Sequence, residues 1–290
     1  MNIKVNFCIN KIINLFFYIR KRKIEKIYGR VSIAELKIIT HQFEPIDILN
    51  KYTFPGFQGY MEGIFCRNGD MFHLSKNLDH ALLNLRKEIV KTFREFAIEY
   101  EKQWIIDKKE LIEYKKRLEC LWHKFGKNIL RKIEVFFETG WKMGEVNVYL
   151  ISKNLQAFPK SSPLIFPFRN EKDYGLLEIL THELLHIHSQ KTERESLWGK
   201  LALELYIKRI QQGKRKQIMH ALIYSSSSNI VKQVMKEDFL LFHNRNRNEV
   251  DREISIYASI VDKCISNYLN GADSKYKFCQ KIVSEILNNQ

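Results

Sequence analysis

Apolar residues recur along this chain with two different periods, and the change from one to the other falls near Gly144. Leu78, Leu82, Leu85, Ile89, Phe93, Phe96 and Tyr100 follow one another at spacings of three and four, the repeat that gathers side chains on one helix face. Leu111, Leu118, Trp122, Phe125, Ile129, Ile133 and Phe136 repeat the pattern up to Gly140. Between the two runs Asp107 with Glu110 reads as a capping pair. The pattern therefore predicts an antiparallel helical hairpin over residues 71–144, with its aromatic stripe as core.

After Gly144 the stretch "EVNVYLIS" sets Val146, Val148 and Leu150 against Asn147, Tyr149 and Ile151, the period of two that marks a strand. "PLIFPF" at 163–168 reads as a second strand. Its prolines lack a donor for a sheet ladder, which places it at an edge or a sheet end. Asn170 with Asp173 then opens a helix, and Thr192 with Glu195 forms a capping box for a further one near residue 193. Upstream, Pro55, Gly56, Gly59, Gly63 and Gly69 mark a loop-rich connector over 50–70. The expected organisation is an N-terminal segment (1–70), the helical hairpin (71–144) and a third region (145–290). The fold class is α+β, mostly α, with a small mixed sheet.

Composition narrows the class of protein. Of the 290 residues 45% are apolar, and a mean hydropathy of −0.32 describes a globular chain. The five cysteines (Cys8, Cys66, Cys120, Cys264, Cys279) are dispersed without a C-x-x-C pair. That argues for reduced thiols in the cytoplasm and against a cysteine zinc site. The formal charge of +15 invites a nucleic-acid partner, but the basic clusters accompany no recognition motif and read as a solvated surface. Residues 3–19, "IKVNFCINKIINLFFYI", are broken by Lys4, Asn6, Asn10, Lys11 and Asn14. They are too interrupted to span a bilayer and lack a secretory cleavage site. They read as an amphipathic helix, packed on the core or laid on a membrane surface beside Arg20–Lys23.

Within "LEILTHELLHIHSQK" (177–191), His182 and His186 stand four apart and project from one helix face. With Glu183 they spell H-E-x-x-H, the arrangement in which two histidines bind zinc and the glutamate is general base. A catalytic zinc takes three protein ligands and leaves a position for water. His188 points elsewhere around the helix, and Thr192 stands six residues after His186 where a third histidine would fall. Glu204 interrupts the apolar run "LALELYI", and a carboxylate among core leucines is costly unless paired or bound to metal. Glu204 is the leading third ligand; Glu193, Glu195 and the distal acids Asp238, Glu249 and Glu253 are the alternatives.

His182-Glu183-Leu184-Leu185-His186 followed by Glu204 resembles the gluzincins, and in its preceding strands and short span the minigluzincins, over roughly residues 145–225. The resemblance implies a small sheet whose edge strand binds substrate, packed on an active-site helix and a glutamate helix. It implies a zinc metallopeptidase acting on peptide or protein substrates. Zn²⁺ on His182, His186 and Glu204 would activate water, and Glu183 would take the water's proton and hand it to the leaving amine. His220, or Tyr224 four residues on, would stabilise the tetrahedral intermediate. Glu204 sits in "LELY" without the Asn-Glu signature of the aminopeptidase branch, so aminopeptidase specificity does not follow from the resemblance. Two other classes fit the residues: a zinc-binding regulatory protein without turnover, and a basic helical nucleic-acid binder.

Overall fold

The computed structural model describes residues 3–11, 13–15, 17–19, 22, 83–141, 144–152, 160–161, 164–189, 195–241, 252–269 and 271–288. The expected connector over 50–70, and Cys66, Thr192, Glu193 and Glu249, lie outside them. The fold is mostly helical with a small sheet: β1 (Lys4–Ile9), α1 (Leu83–Phe137), β2 (Glu145–Ile151), β3 (Lys160–Ser161), β4 (Leu164–Pro167), α2 (Asp173–Ser189), α3 (Leu197–Ile207), α4 (Gln212–Met235), α5 (Arg252–Leu269) and α6 (Lys275–Asn288). Two compact units divide these elements. One gathers residues 5–119 and 145–170, the other residues 1–4, 120–144 and 171–290.

In the first unit the strands pair in the order β1-β2-β4-β3. β2 and β4 run parallel, from Val148 opposite Leu164 to Ile151 opposite Pro167, whereas β3 pairs antiparallel with β4, so the sheet is mixed. Val146, Val148 and Leu150 are buried as the alternation requires, and Ile151 joins them at the strand end. All four β4 residues are buried, as expected of a strand covered on both faces. β4 is not an edge strand. Its proline is accommodated because Pro167 is the last residue of the strand, beyond the Leu164–Ile165 stretch that β3 reaches.

The N-terminal segment differs from its expected helix. Residues 4–9 form β1, and helix begins only at residue 11. Its apolar side chains Ile13, Leu15, Phe17 and Ile19 are buried in the core. Asn14, counted by pattern as a polar interruption, is fully buried and bracketed by backbone. Its Nδ2 donates to Asn10 O and Leu150 O, each at 3.0 Å, and its Oδ1 accepts from Ser152 N at 3.0 Å. An amide so satisfied loses nothing by burial, and here it fixes the helical residues to the end of β2.

α1 overturns the expected hairpin, running unbroken for 55 residues. Asp107 caps nothing. It is buried in mid-helix, accepting from Tyr100 Oη at 3.2 Å and Gln103 Nε2 at 2.7 Å. Burial and the Asp107 charge push the Tyr100 phenol up, which keeps it a donor. No glycine or proline interrupts residues 83–125, so no backbone reason to turn exists. Gly126 is tolerated because a Cβ there would stand 2.5 Å from the Trp122 indole.

In the second unit α4 packs against α2 and α5, and α6 packs against α5 and α3. Phe137 is fully buried there, stacked on Trp198 with ring centroids 4.3 Å apart. Phe137→Ala should cost about 3–5 kcal/mol through lost burial and a cavity, read from the denaturation midpoint. A loss below about 1 kcal/mol would show that the site collapses around the truncation.

Candidate metal centre

α2 exists because residues 173–189 are strongly helix-forming and almost wholly buried, from Gly175 through Leu185. α4 packs against it and carries a run of buried small residues. Ser225, Ser226, Ser227 and Ser228 are all at most 1% exposed. Two of the hydroxyls are satisfied locally: Ser226 Oγ donates to Leu222 O at 2.6 Å and Ser227 Oγ to Tyr224 O at 2.9 Å. Ser225 Oγ donates to the Asp262 carboxylate on α5. Helical serines bonded back to the preceding turn need no outside partner, so neighbouring helices can close on α4. This contact carries His220, one turn before the serines, onto the histidine face of α2.

Three imidazoles meet there. Nε2 of His182 lies 3.2 Å from Nε2 of His186 and 3.1 Å from Nε2 of His220, and the His186–His220 distance is 3.3 Å. Their rings are inclined to one another by 49–74°. A tetrahedral ion bound to nitrogen at about 2.0–2.1 Å holds its ligand atoms about 3.3 Å apart. The triangle has that edge on all three sides. Each Nε2 carries either one proton or one lone pair. No placement of protons therefore satisfies all three contacts, whereas a cation between the nitrogens satisfies them together. Among the described residues this is the one group of three or more histidines, cysteines or acids arranged to hold a metal ion.

The electrostatics suit that use. Burial lowers the pKa of His182 well below the ordinary imidazole value, with further lowering from His220 and His186, and burial alone lowers that of His186. Both are neutral near pH 7, so their lone pairs are available. His182 is 8% exposed, while His186 and His220 are half-buried, which makes theirs the more open side of the triangle. Glu183, 6% exposed, directly follows His182. The Tyr224 ring lies 4.3 Å from His182 and 4.9 Å from His220 by centroids, making one wall of the site. His182 Nδ1 is buried without a hydrogen-bond partner among the described residues.

The other expected site residues fall elsewhere. Glu204 is buried on α3 but does not join the histidine triangle. Its charge instead lies near Cys279 of α6, whose thiol is pushed up to about 12, chiefly by burial and next by Glu204. α3 begins at Leu197, capped by Ser196 Oγ accepting from Gly199 N at 3.2 Å, and not near residue 193. Glu195 is no cap partner; it pairs with Lys200 at 2.7 Å. Asp238 pairs with Lys232 at 2.6 Å, and Glu253 lies in the first turn of α5. His188 faces away, donating from Nε2 to Thr139 O at 3.2 Å beside Trp141.

The sequence offered His220 as a stabilising donor, and its part in the triangle went unrecognised. The available signal was its place in the apolar helical run "IMHALIY", where an imidazole needs a buried partner. Compared with family models, curated proteins and solved structures, the chain finds no match.

Proposed function

We propose that this protein is a zinc-dependent hydrolase acting on peptide bonds, with His182, His186 and His220 as metal ligands and Glu183 as general base. The observation that supports it is the triangle of three Nε2 atoms 3.1–3.3 Å apart with a buried glutamate next in sequence to its most buried histidine. Three imidazoles in tetrahedral spacing suit zinc and leave a fourth position open. The proposal keeps the H-E-x-x-H half of the gluzincin resemblance and puts His220 where that family has a glutamate.

The ion would supply Lewis acidity and bring the pKa of a coordinated water toward ~7. The protein's residues would do the rest. Glu183 accepts the attacking water's proton and later returns it to the leaving amine. A metal held by three imidazoles would carry more positive charge than one held by a His₂Glu set, which would favour the negative charge that develops on the scissile carbonyl oxygen. Tyr224 stands against two of the ligand rings, and its hydroxyl is the candidate donor to that oxygen.

The test is hydrolysis of a mixed peptide library by metal-depleted protein before and after adding one equivalent of zinc. Zinc-restored cleavage supports the proposal, and no cleavage under either condition overturns peptide turnover. Tyr224→Phe retains the ring contacts and removes only the hydroxyl. It should lower kcat about 10- to 10²-fold with KM and zinc content unchanged, on the scale of losing one oxyanion donor. An unchanged kcat would reduce Tyr224 to a packing wall.

A further inference from the structure

α3 is apolar on faces that face outward. Its inner side buries Leu197, Trp198, Leu201 and Leu205. On the outer side Leu203 is 51%, Tyr206 68% and Ile207 57% exposed, at the i, i+3, i+4 spacing of one helix face, and Ala202 beside them is exposed too. Scattered exposed apolar residues need no explanation. Three large apolar side chains side by side on one exposed helix face form a candidate contact surface.

What borders the face identifies what it contacts. Immediately after it, five of the nine residues 208–216 are cationic: Lys208, Arg209, Lys214, Arg215 and Lys216. The chain contains no Asp or Glu from Leu205 to Lys236, so no acid in that stretch neutralises them. Arg209, at φ 54°, turns the corner between α3 and α4. The Arg215 guanidinium stands 5.5 Å from the Tyr206 ring centroid, which joins the cationic corner and the apolar face into one surface. Lys208, Arg209 and Lys216 are exposed.

We infer that this surface docks on an anionic lipid bilayer. Leu203 and Ile207 would enter the boundary between headgroups and acyl chains, Tyr206 would sit at headgroup level, and the five cations would meet lipid phosphates and carboxylates. That division of labour is the one by which an interfacial helix binds a charged bilayer. Phosphate is common to nucleic acids, but their surfaces reward cations and stacking aromatics, and two half-exposed aliphatic side chains gain nothing there. No described helix is long and apolar enough to cross a membrane. His220 follows Lys216 by four residues on α4, about 6 Å along the axis; docking would hold the histidine centre close to the bilayer. The inference stands independently of whether that centre hydrolyses anything.

The full chain is to be cosedimented with phosphatidylcholine vesicles with and without about 30% phosphatidylserine, the range over which surface charge governs binding. We expect partitioning onto the anionic vesicles at least tenfold above the neutral ones, weakened by salt. With a net charge of +15, electrostatic attraction alone would give that much, so the apolar face decides. Leu203→Asp with Ile207→Asp should lower partitioning about tenfold, as should charge reversal of Lys214, Arg215 and Lys216. Ile98→Asp with Ile105→Asp, at exposed positions of α1, should leave it unchanged. Ile207→Gln, a milder change at a mostly exposed position, should give a partial loss with an unaltered melting temperature and serves if the double variant does not fold. Unchanged partitioning in the Leu203/Ile207 variants overturns the inference. So does a duplex oligonucleotide bound more tightly than vesicles and insensitive to those variants, or a dimer that Leu203→Asp converts to monomer.

Discussion

Glu183→Gln lowers turnover by about 10²–10⁴ while the protein keeps its metal, because the amide preserves shape but cannot accept the water's proton. Glu183 is buried beside His182, not among the three converging nitrogens, so its loss should leave the ligand set intact. Peptide cleavage rate and zinc content, measured on the same preparation, separate the two roles. Near-native cleavage by Glu183→Gln would dismiss it as the base. Simultaneous loss of zinc would make it a ligand.

The second large effect distinguishes His220 from Glu204. Structural zinc sites in peptides hold their ion by roughly 10–16 kcal/mol. Removing one of three protein ligands should therefore weaken binding by at least about 10²–10³, enough for a mild chelator to strip His220→Ala. Glu204→Gln should retain full zinc, because that carboxylate lies outside the triangle. What Glu204→Gln should change is Cys279: with the neighbouring charge gone, the thiol pKa falls from about 12. It still stays high, since burial is the larger cause. Competition with a chromogenic chelator gives the affinities. Zinc lost from Glu204→Gln and kept by His220→Ala would restore the glutamate as ligand.

His182 and His186 were legible in the sequence because their relation is local: four residues on a helix fix two side chains to one face whatever the tertiary structure. The third histidine of the triangle was not, since its place depends on how α4 packs against α2. That packing joins residues 34 and 38 positions apart in the chain, a relation that no local pattern reports. Glu204 misled for a related reason. An acid in an apolar run signals burial, and it is buried, but burial alone does not say what faces it.

The strand alternation at 145–151 was readable because one face is core and the other polar. β1 was not, as "KVNFCI" is short and merges into an apolar stretch of helical composition. The supposed break in α1 failed at Asp107, whose cap-like spacing is used within the helix by Tyr100 and Gln103. Local capping signals are ambiguous wherever the side chain can find a partner in the preceding turn.

The central claim is that His182, His186 and His220 together hold one metal ion. Elemental analysis of the protein, purified without an affinity-tag metal, tests it most directly when run beside the His220→Ala variant. One zinc per chain in the native protein and none in the variant is the predicted result. A native protein without stoichiometric metal, or a variant that retains it in full, would contradict the account.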